Sequence, residues 1–292
     1  MTTLPKIDLS TQKYISNPEI DVTLELALKL NRPILIEGPA GTGKTSVAIS
    51  MAHALDWKLF RIQCYEGITV ESVIGEYDYK RQLLHIELER QKHSSESTLD
   101  LEDIFSKKFF IERPLFLSFI ENDPNVLLID EIDKSDEEFE AFLLEALGER
   151  QITIPELGTF HSSNENQIVI LTSNSSRDLS EPLRRRCLYL YINFPSLERE
   201  RQILAAHTGK NFDDPLLKSI TGIVHQIRKY DLRKVPSIAE TIDWAKALIL
   251  LGREHIDEST LKSTITVLLK YQEDINQLES QISEIIRLGS TQ

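Results

Sequence analysis

The sequence predicts an α/β domain, a parallel sheet flanked by helices, followed by an all-helical domain. Three observations carry that expectation. Gly38-Pro39-Ala40-Gly41-Thr42-Gly43-Lys44-Thr45 fits the phosphate-loop pattern G-x-x-x-x-G-K-[ST] and lies between a strand-like and a helix-like stretch. Strand and helix patterns then alternate as far as Phe194-Pro195. Beyond that point no strand pattern appears, so the expected domains are residues 1–195 and 196–292.

Length and composition bound the reading. The 292 residues, 41% hydrophobic and 27% charged, suit a soluble globular chain with a sizeable core. A net charge of −13 disfavours general binding to phosphate backbones, so no nucleic-acid partner is expected. The cysteines Cys64 and Cys187 fall in expected strands without metal-ligand spacing, which points to reduced core thiols in a cytoplasmic protein. Seven scattered histidines show no metal spacing either. Met1–Leu9 lacks a signal-peptide apolar core, and the longest aliphatic run, Ala247–Leu251, is far too short to span a membrane.

Taken in order, residues 1–20 are expected on the surface and Ile20–Leu30 in a helix. Pro33–Glu37 reads as a buried strand, and Thr45–Leu55 as a helix with Val47, Ala48, Met51 and Leu55 on one face. Leu59–Cys64 reads as a second strand. Val70, Val73 and Ile74 suggest a short helix, and Tyr77–Ile86 another amphipathic piece. Gln91–Ser97 is polar and expected to be a loop; Leu101–Ile120 is helical in pattern, interrupted near Pro114. Val126-Leu127-Leu128-Ile129 reads as a strand buried on both faces. Ser135-Asp136-Glu137-Glu138 resembles a capping box opening a helix that Gly148 closes. Gln151–Ile154 and Thr159-Phe160 flank Pro155-Glu156-Leu157-Gly158 as a hairpin. Gln167–Ser173 is a further strand, Leu179–Arg186 a short helix with Pro182 in its first turn, and Cys187–Ile192 the last strand. In the helical region Ile275, Leu278, Ile282 and Ile285 follow three-four-three spacing, as core packing or as a short coiled-coil seam.

The chemistry follows from the phosphate loop. Its glycines let backbone N–H groups and a helix N-terminus face negative charge. Residues Gly38 to Ser46 are therefore the candidate nucleotide contacts, with Lys44 reaching the β/γ-phosphates of ATP and the Thr45 hydroxyl holding Mg²⁺. Asp130-Glu131 end the most apolar strand, at the edge where ligands bind in open α/β sheets. Such a pair is also the composition of an ordinary solvated turn, but a phosphate loop demands a metal partner. Asp130 is thus expected to hold Mg²⁺ through its waters, and Glu131 to activate the attacking water. Asn174, at the end of Gln167–Ser173, suits either a cap or a water-positioning amide.

The phosphate loop, the Leu127-Leu128-Ile129-Asp130-Glu131 strand, Leu171-Thr172-Ser173-Asn174 and Arg184-Arg185-Arg186 together resemble an AAA+ ATPase. The Gln151–Phe160 hairpin and residues 66–90 sit where the MoxR family carries its insertions. Arg61–Gly67, Arg81–Leu84, Asp136–Leu144, Thr153–Thr159 and Leu183–Cys187 resemble its CoxD-like branch. The resemblance implies an AAA+ P-loop core with a helical lid, ATP and Mg²⁺, and a hexameric homo-oligomeric ring. It implies sensor 1 at Asn174 and an arginine finger at Arg186, with Arg185 second. It further implies remodelling of a client, with a von Willebrand factor A domain partner and a metalloenzyme such as a molybdenum hydroxylase as client. Tyr77, Tyr79 and the hairpin tip become expected partner contacts, with local packing of both tyrosines as the alternative. The family's sensor 2 arginine has no counterpart in Val235-Pro236-Ser237-Ile238; Arg233 or Lys234 stands nearby.

Four readings compete: a protein-remodelling ATPase, a nucleic-acid motor or nuclease-linked NTPase, a small-molecule kinase, and a non-hydrolysing ATP-gated assembly factor. Acidity opposes the second. The third does not need Asp130-Glu131, Asn174 and the arginine run in this order, and Glu131 opposes the fourth.

Overall fold

The structure, a computed structural model, describes residues 7–92, 101–162 and 167–289. Nine strands appear among them. β1 (Ile34–Glu37), β2 (Lys58–Gln63), β5 (Asn125–Asp130), β8 (Gln167–Ser173) and β9 (Leu188–Tyr191) form one sheet in the order β2-β5-β8-β1-β9. The pairs β2–β5, β5–β8 and β1–β8 are parallel, as expected from strands separated by helices. β3 (Gly75–Tyr77) pairs antiparallel with β4 (Phe110–Glu112), and β6 (Gln151–Ile154) with β7 (Gly158–His161).

Fourteen α-helices accompany them in the described residues. Those before β9 are α1 (Pro18–Leu30), α2 (Lys44–Leu55), α3 (Val70–Ile74), α4 (Tyr79–Lys92), α5 (Leu101–Ile104), α6 (Pro114–Ile120), α7 (Glu137–Glu149) and α8 (Glu181–Arg186). After it come α9 (Leu197–Thr208), α10 (Pro215–Ile227), α11 (Ile238–Leu250), α12 (Glu258–Leu268), α13 (Gln272–Glu279) and α14 (Ile282–Gly289).

Two compact units emerge. One holds Pro18–Glu37 and Met51–Leu190; the other holds Asp8–Asn17, Gly38–Ser50 and the chain from Tyr191 on. The phosphate loop thus groups with the helical region. In the first unit β5 is buried at every position, because helices cover both faces of its apolar run. Leu35, Ile62, Phe116, Leu127, Ile129, Phe139, Leu143 and Leu171 meet there in one core. The second unit packs Leu217, Ile220, Ile223, Trp244, Leu261, Leu278 and Ile285 together, with Trp244 Nε1 donating to Thr264 Oγ1 at 2.8 Å. The three-four-three seam is core packing. Its run is broken between α13 and α14, so it is no continuous coiled-coil helix.

Several local expectations are corrected. Leu101–Ile120 is not helical throughout: Phe110–Glu112 pairs with β3, and Pro114 opens α6, where its missing N–H costs nothing. Gln91 lies in α4, not in a loop; residues 93–97 of that expected loop lie outside the described ones. The expected amphipathic piece Tyr77–Ile86 is divided: Tyr77 ends β3, α4 begins at Tyr79, and Leu83 and Leu84 are exposed. Asp136, not Ser135, caps α7, accepting the Phe139 N–H at 2.8 Å. Gly148 does not end α7, which runs to Glu149 with Arg150 in the left-handed conformation. Instead Gly148 leaves room for a guanidinium: a Cβ there would stand 3.1 Å from Arg186 Nη1. Cys64 lies one residue past β2, and Cys187 between α8 and β9. Burial pushes both thiols up to about 12. Tyr77 is half-buried and packs locally. Its hydroxyl donates to the Phe105 carbonyl at 2.9 Å, and its ring meets Phe105 and Phe110 edge-on. Tyr79 is 67% exposed.

The helical unit contains a buried ion cluster. Glu200, fully buried in α9, accepts Arg228 Nη1 at 2.6 Å and Nη2 at 2.8 Å and meets His225 Nε2 at 2.9 Å. Arg228 also donates to the Pro236 carbonyl at 2.7 Å and lies 4.5 Å from the Phe194 ring centroid. Burial alone would raise the Glu200 pKa, but the bonds from His225 and Arg228 hold it below the ordinary carboxylate value. Glu200→Ala strands the Arg228 charge and is expected to cost about 3–5 kcal/mol, measured by urea unfolding through Trp244 fluorescence in a Trp57→Phe background. Glu200's contribution is complete above the ordinary carboxylate value and is lost as pH falls through the lowered folded one.

Candidate nucleotide site

β1, β8 and β5 are parallel neighbours, so their C-terminal ends share one sheet edge. The chain leaves β1 into the phosphate loop; β5 ends in Asp130 and β8 leads into Asn174.

In the loop, Gly38, Gly41 and Gly43 have φ of 149°, 73° and 92°. At two of them space also forbids a side chain. A Cβ on Gly38 would stand 2.0 Å from the Ile192 carbonyl oxygen, and one on Gly41 2.3 Å from Ser237 Cβ. Lys44, 6% exposed, donates from Nζ to the Gly38 and Pro39 carbonyls, each at 2.8 Å. Thr42 Oγ1 donates to the Pro39 carbonyl at 3.0 Å. Lys44 begins α2, so Lys44, Thr45 and Ser46 occupy its first turn, where N–H groups face outward along the axis. Ala40 and Ser46 are exposed and Thr45 half-buried. The Gly41 carbonyl accepts the Ile238 N–H at 3.2 Å, joining the loop to the start of α11 in the same unit. Arg233 and Lys234, the neighbours of the missing sensor 2 arginine, are engaged within the helical unit. Arg233 lies 4.2 Å from the Tyr271 ring centroid, and Lys234 Nζ pairs with Glu240 at 2.9 Å.

The acidic pair sits in a dense polar network in the other unit. Strand register explains its members. Gln63 pairs with Asp130, and Ile129 with Leu171, so Gln63 and Thr172 flank Asp130 on one face of the sheet, with Arg61 two residues back. Asp130, 2% exposed, accepts the Thr172 hydroxyl on Oδ1 at 2.5 Å and Arg61 Nη2 on Oδ2 at 2.6 Å. Glu131 has φ 58°, in the left-handed region, and its N–H donates to Thr172 Oγ1 at 2.9 Å. Such a conformation in a non-glycine residue is held by its surroundings and concentrates at functional sites. The Glu131 carboxylate meets Lys134 Nζ at 2.5 Å, Gln63 Nε2 at 3.0 Å and Asn174 Nδ2 at 3.5 Å. Asp130, Glu131 and Asn174 are thereby brought together.

Asp133 was not singled out by the sequence, yet it fixes the Asn174 loop. It accepts the Asn174 N–H at 3.1 Å, the Ser176 N–H at 3.0 Å and the Ser176 hydroxyl at 2.6 Å. Burial would raise its pKa; these bonds more than reverse this and hold it below 3.8. Its only signal in the sequence was one more carboxylate three residues past Asp130. Asp133→Ala leaves three donors without their acceptor, each costing about 1–3 kcal/mol if buried. Steady-state kinetics are expected to show a lower kcat with ATP affinity unchanged, and hydrogen exchange to be faster at residues 174–176.

The three arginines end α8 and take different partners. Arg184 pairs in bidentate fashion with Glu37, the last residue of β1, at 2.8 and 3.2 Å. Arg185, 77% exposed at its side chain, reaches Glu181 at 2.9 Å. Arg186 donates to the Leu144 carbonyl near the C-terminus of α7, over Gly148.

A phosphate loop after the first strand, an acidic pair ending a buried strand and an asparagine ending the next define a P-loop nucleoside-triphosphatase class of fold. Residues 33–187, more than half of the chain, match the profile described as "AAA domain (dynein-related subfamily)", and the chain belongs to that family of AAA+ ATPases. Similar curated proteins include gas vesicle ATPase GvpN1 of Halobacterium salinarum, 25% identical over 222 residues, and gas vesicle ATPase GvpN of Haloferax mediterranei, 26% identical over 221. Each alignment takes in 72% of this chain, which spans only 60% of the relative's length. Among solved structures, a mutant of Thermotoga maritima RuvB is 19% identical with a TM-score of 0.53, covering 97% of this chain and 81% of its own. The T. maritima RuvB Holliday junction branch migration motor is 18% identical with a TM-score of 0.50, covering 97% and 80%. These likenesses speak to the fold. No helix among the described residues is long and apolar enough to cross a membrane.

Proposed function

We propose that this chain hydrolyses ATP as a MoxR-type AAA+ machine of the CoxD-like branch, working as a hexameric ring in the cytoplasm. The observation that carries the hydrolytic reading is the convergence of Asp130, Glu131 and Asn174 at one sheet edge, with Glu131 held at φ 58°. A binding-only switch has no use for a carboxylate so placed.

The roles follow from the chain's own groups. Residues Gly38 to Ser46 wrap the phosphates with N–H donors, and Lys44 turns its ammonium from two loop carbonyls to the β/γ-phosphates. The Thr45 hydroxyl and Asp130 would hold Mg²⁺, which would supply positive charge against the phosphates. The residues fit that ion. Mg²⁺ keeps several waters and takes one or two protein ligands besides phosphate, which suits one buried carboxylate, Asp130, and one half-buried hydroxyl, Thr45. Glu131 takes the proton of the attacking water, and Asn174 orients that water. Arg186, or else Arg185, reaches the nucleotide of the next subunit.

The client side rests on the resemblance of Arg61–Gly67, Asp136–Leu144 and Thr153–Thr159 to the CoxD-like branch. On that reading a von Willebrand factor A domain protein assists, and the client is a metalloenzyme such as a molybdenum hydroxylase. Tyr79 and the exposed Pro155-Glu156 tip support a partner surface; Tyr77 does not. The acidic net charge of −13 speaks against a nucleic-acid motor.

Assembly tests the ring. Mass photometry of Glu131→Gln with ATP and Mg²⁺ is expected to show hexamers that disperse when Lys44→Ala is added to the same variant. A monomer under all nucleotide conditions contradicts the ring.

A further inference from the structure

The catalytic reading gives Asp130 to the metal, yet Asp130 already holds a cation. Arg61 lies on β2 opposite Leu128, and its guanidinium reaches forward along the strand to Asp130 Oδ2 at 2.6 Å. The same Nη2 donates to Gln63 Oε1 at 2.8 Å. Gln63 in turn donates from Nε2 to Glu131 Oε2 at 3.0 Å. One chain of contacts, Asp130–Arg61–Gln63–Glu131, therefore links the two acids.

Burial makes the pairing necessary. Asp130 is 2% exposed, and a carboxylate so enclosed needs a compensating cation and hydrogen bonds. The Arg61 side chain is 48% exposed, so hydrogen bonds rather than close packing hold its head in place. Such a group can leave at small cost once a stronger cation arrives. A guanidinium carries one charge and Mg²⁺ two, and both need the same carboxylate.

We propose that Arg61 is a positioning residue that occupies Asp130 until Mg²⁺ takes it, so that Arg61 sets the Mg²⁺ requirement of the nucleotide site. Its departure also releases Gln63 Oε1, which lets the Gln63 amide and its Glu131 contact rearrange when the metal is in place. This rests on the reading of Asp130 as the metal-side carboxylate.

The test reads metal binding rather than turnover. Mn²⁺ affinity is measured by electron paramagnetic resonance on the full chain with saturating ADP. Arg61→Gln is expected to bind Mn²⁺ about three- to tenfold more tightly than wild type, the effect of removing one nearby positive charge from a partly screened site. Its ADP affinity in EDTA stays within about twofold, since no phosphate contact is assigned to Arg61. Arg61→Lys keeps the charge and is expected to stay within about twofold of wild type for Mn²⁺. Unchanged or weaker Mn²⁺ binding in Arg61→Gln overturns the proposal, as does an Arg61→Lys protein that binds as tightly as Arg61→Gln. Asp130→Asn separates the two levels. If it loosens Mn²⁺ while Arg61→Gln does nothing, the metal reading of Asp130 stands and only the role of Arg61 falls. If Asp130→Asn binds Mn²⁺ as wild type does, both fall.

Discussion

Arg186→Ala is expected to abolish ATP turnover while leaving ATP binding intact, a loss of about 10³–10⁵-fold where an arginine finger is removed. The phosphoryl-transfer transition state spreads charge over the γ-phosphate oxygens, and a guanidinium from outside the site stabilises it. The structure adds a condition. Arg186 lies over Gly148 and donates to the Leu144 carbonyl, so its head is engaged within its own chain. To act in trans it must leave α7, and the neighbour's nucleotide must outcompete one backbone carbonyl. Arg185 is exposed, and its side chain pairs with Glu181 on its own helix, which keeps it as the second choice. Arg184 is the least suited of the three, being locked on Glu37. Mixing decides. Arg186→Ala and Lys44→Ala are each expected to be inactive, and co-assembled rings to regain activity, because an intact Arg186 then meets an intact phosphate loop. A mixed ring that stays inactive at all ratios, or full turnover by Arg186→Ala alone, removes Arg186 from the role. Repeating the mixture with Arg185→Ala then tests the alternative.

Glu131→Gln is expected to lower kcat by about 10²–10⁴-fold, the usual contribution of a positioned general base. Binding survives because no phosphate contact is assigned to Glu131. Glutamine preserves the shape and can still accept from Gln63 or Asn174, so the loop keeps its geometry. It loses the charge that Lys134 now balances and the basicity the water needs. Comparable kcat in the variant and the wild type, in quenched single-turnover assays, would remove Glu131 as the base.

The parts legible in the sequence are those written in contiguous residues. Gly38 to Thr45 is a local pattern, and Val126–Ile129 is a continuous apolar run that only a doubly covered strand requires. Gln167–Ser173 and the Gln151–Phe160 hairpin were readable for the same reason. What was not readable comes from register and distance. Thr172 and Arg61 reach Asp130 from two other strands, and Gln63 reaches Glu131; their segments resemble family motifs, but no local pattern shows that these side chains meet the acidic pair. β3 and β4 are three residues each, too short for a two-residue period to show, so Phe110–Glu112 read as helix. The local packing of Tyr77 could not be read, because its partner Phe105 lies 28 residues away. Gly148 read as a helix end, whereas its missing side chain makes room for Arg186. Arg184, Arg185 and Arg186 read as one cluster of like charge; Glu37, Glu181 and the Leu144 carbonyl divide them into three separate contacts.

The central claim is that the phosphate loop binds ATP and Glu131 makes the site hydrolytic. The most direct measurement is ATP binding and phosphate release on the same preparations of wild type, Lys44→Ala and Glu131→Gln, with Mg²⁺ present. Wild type is predicted to bind and release phosphate, Lys44→Ala to do neither, and Glu131→Gln to bind without release. Equal phosphate release from all three proteins would contradict it.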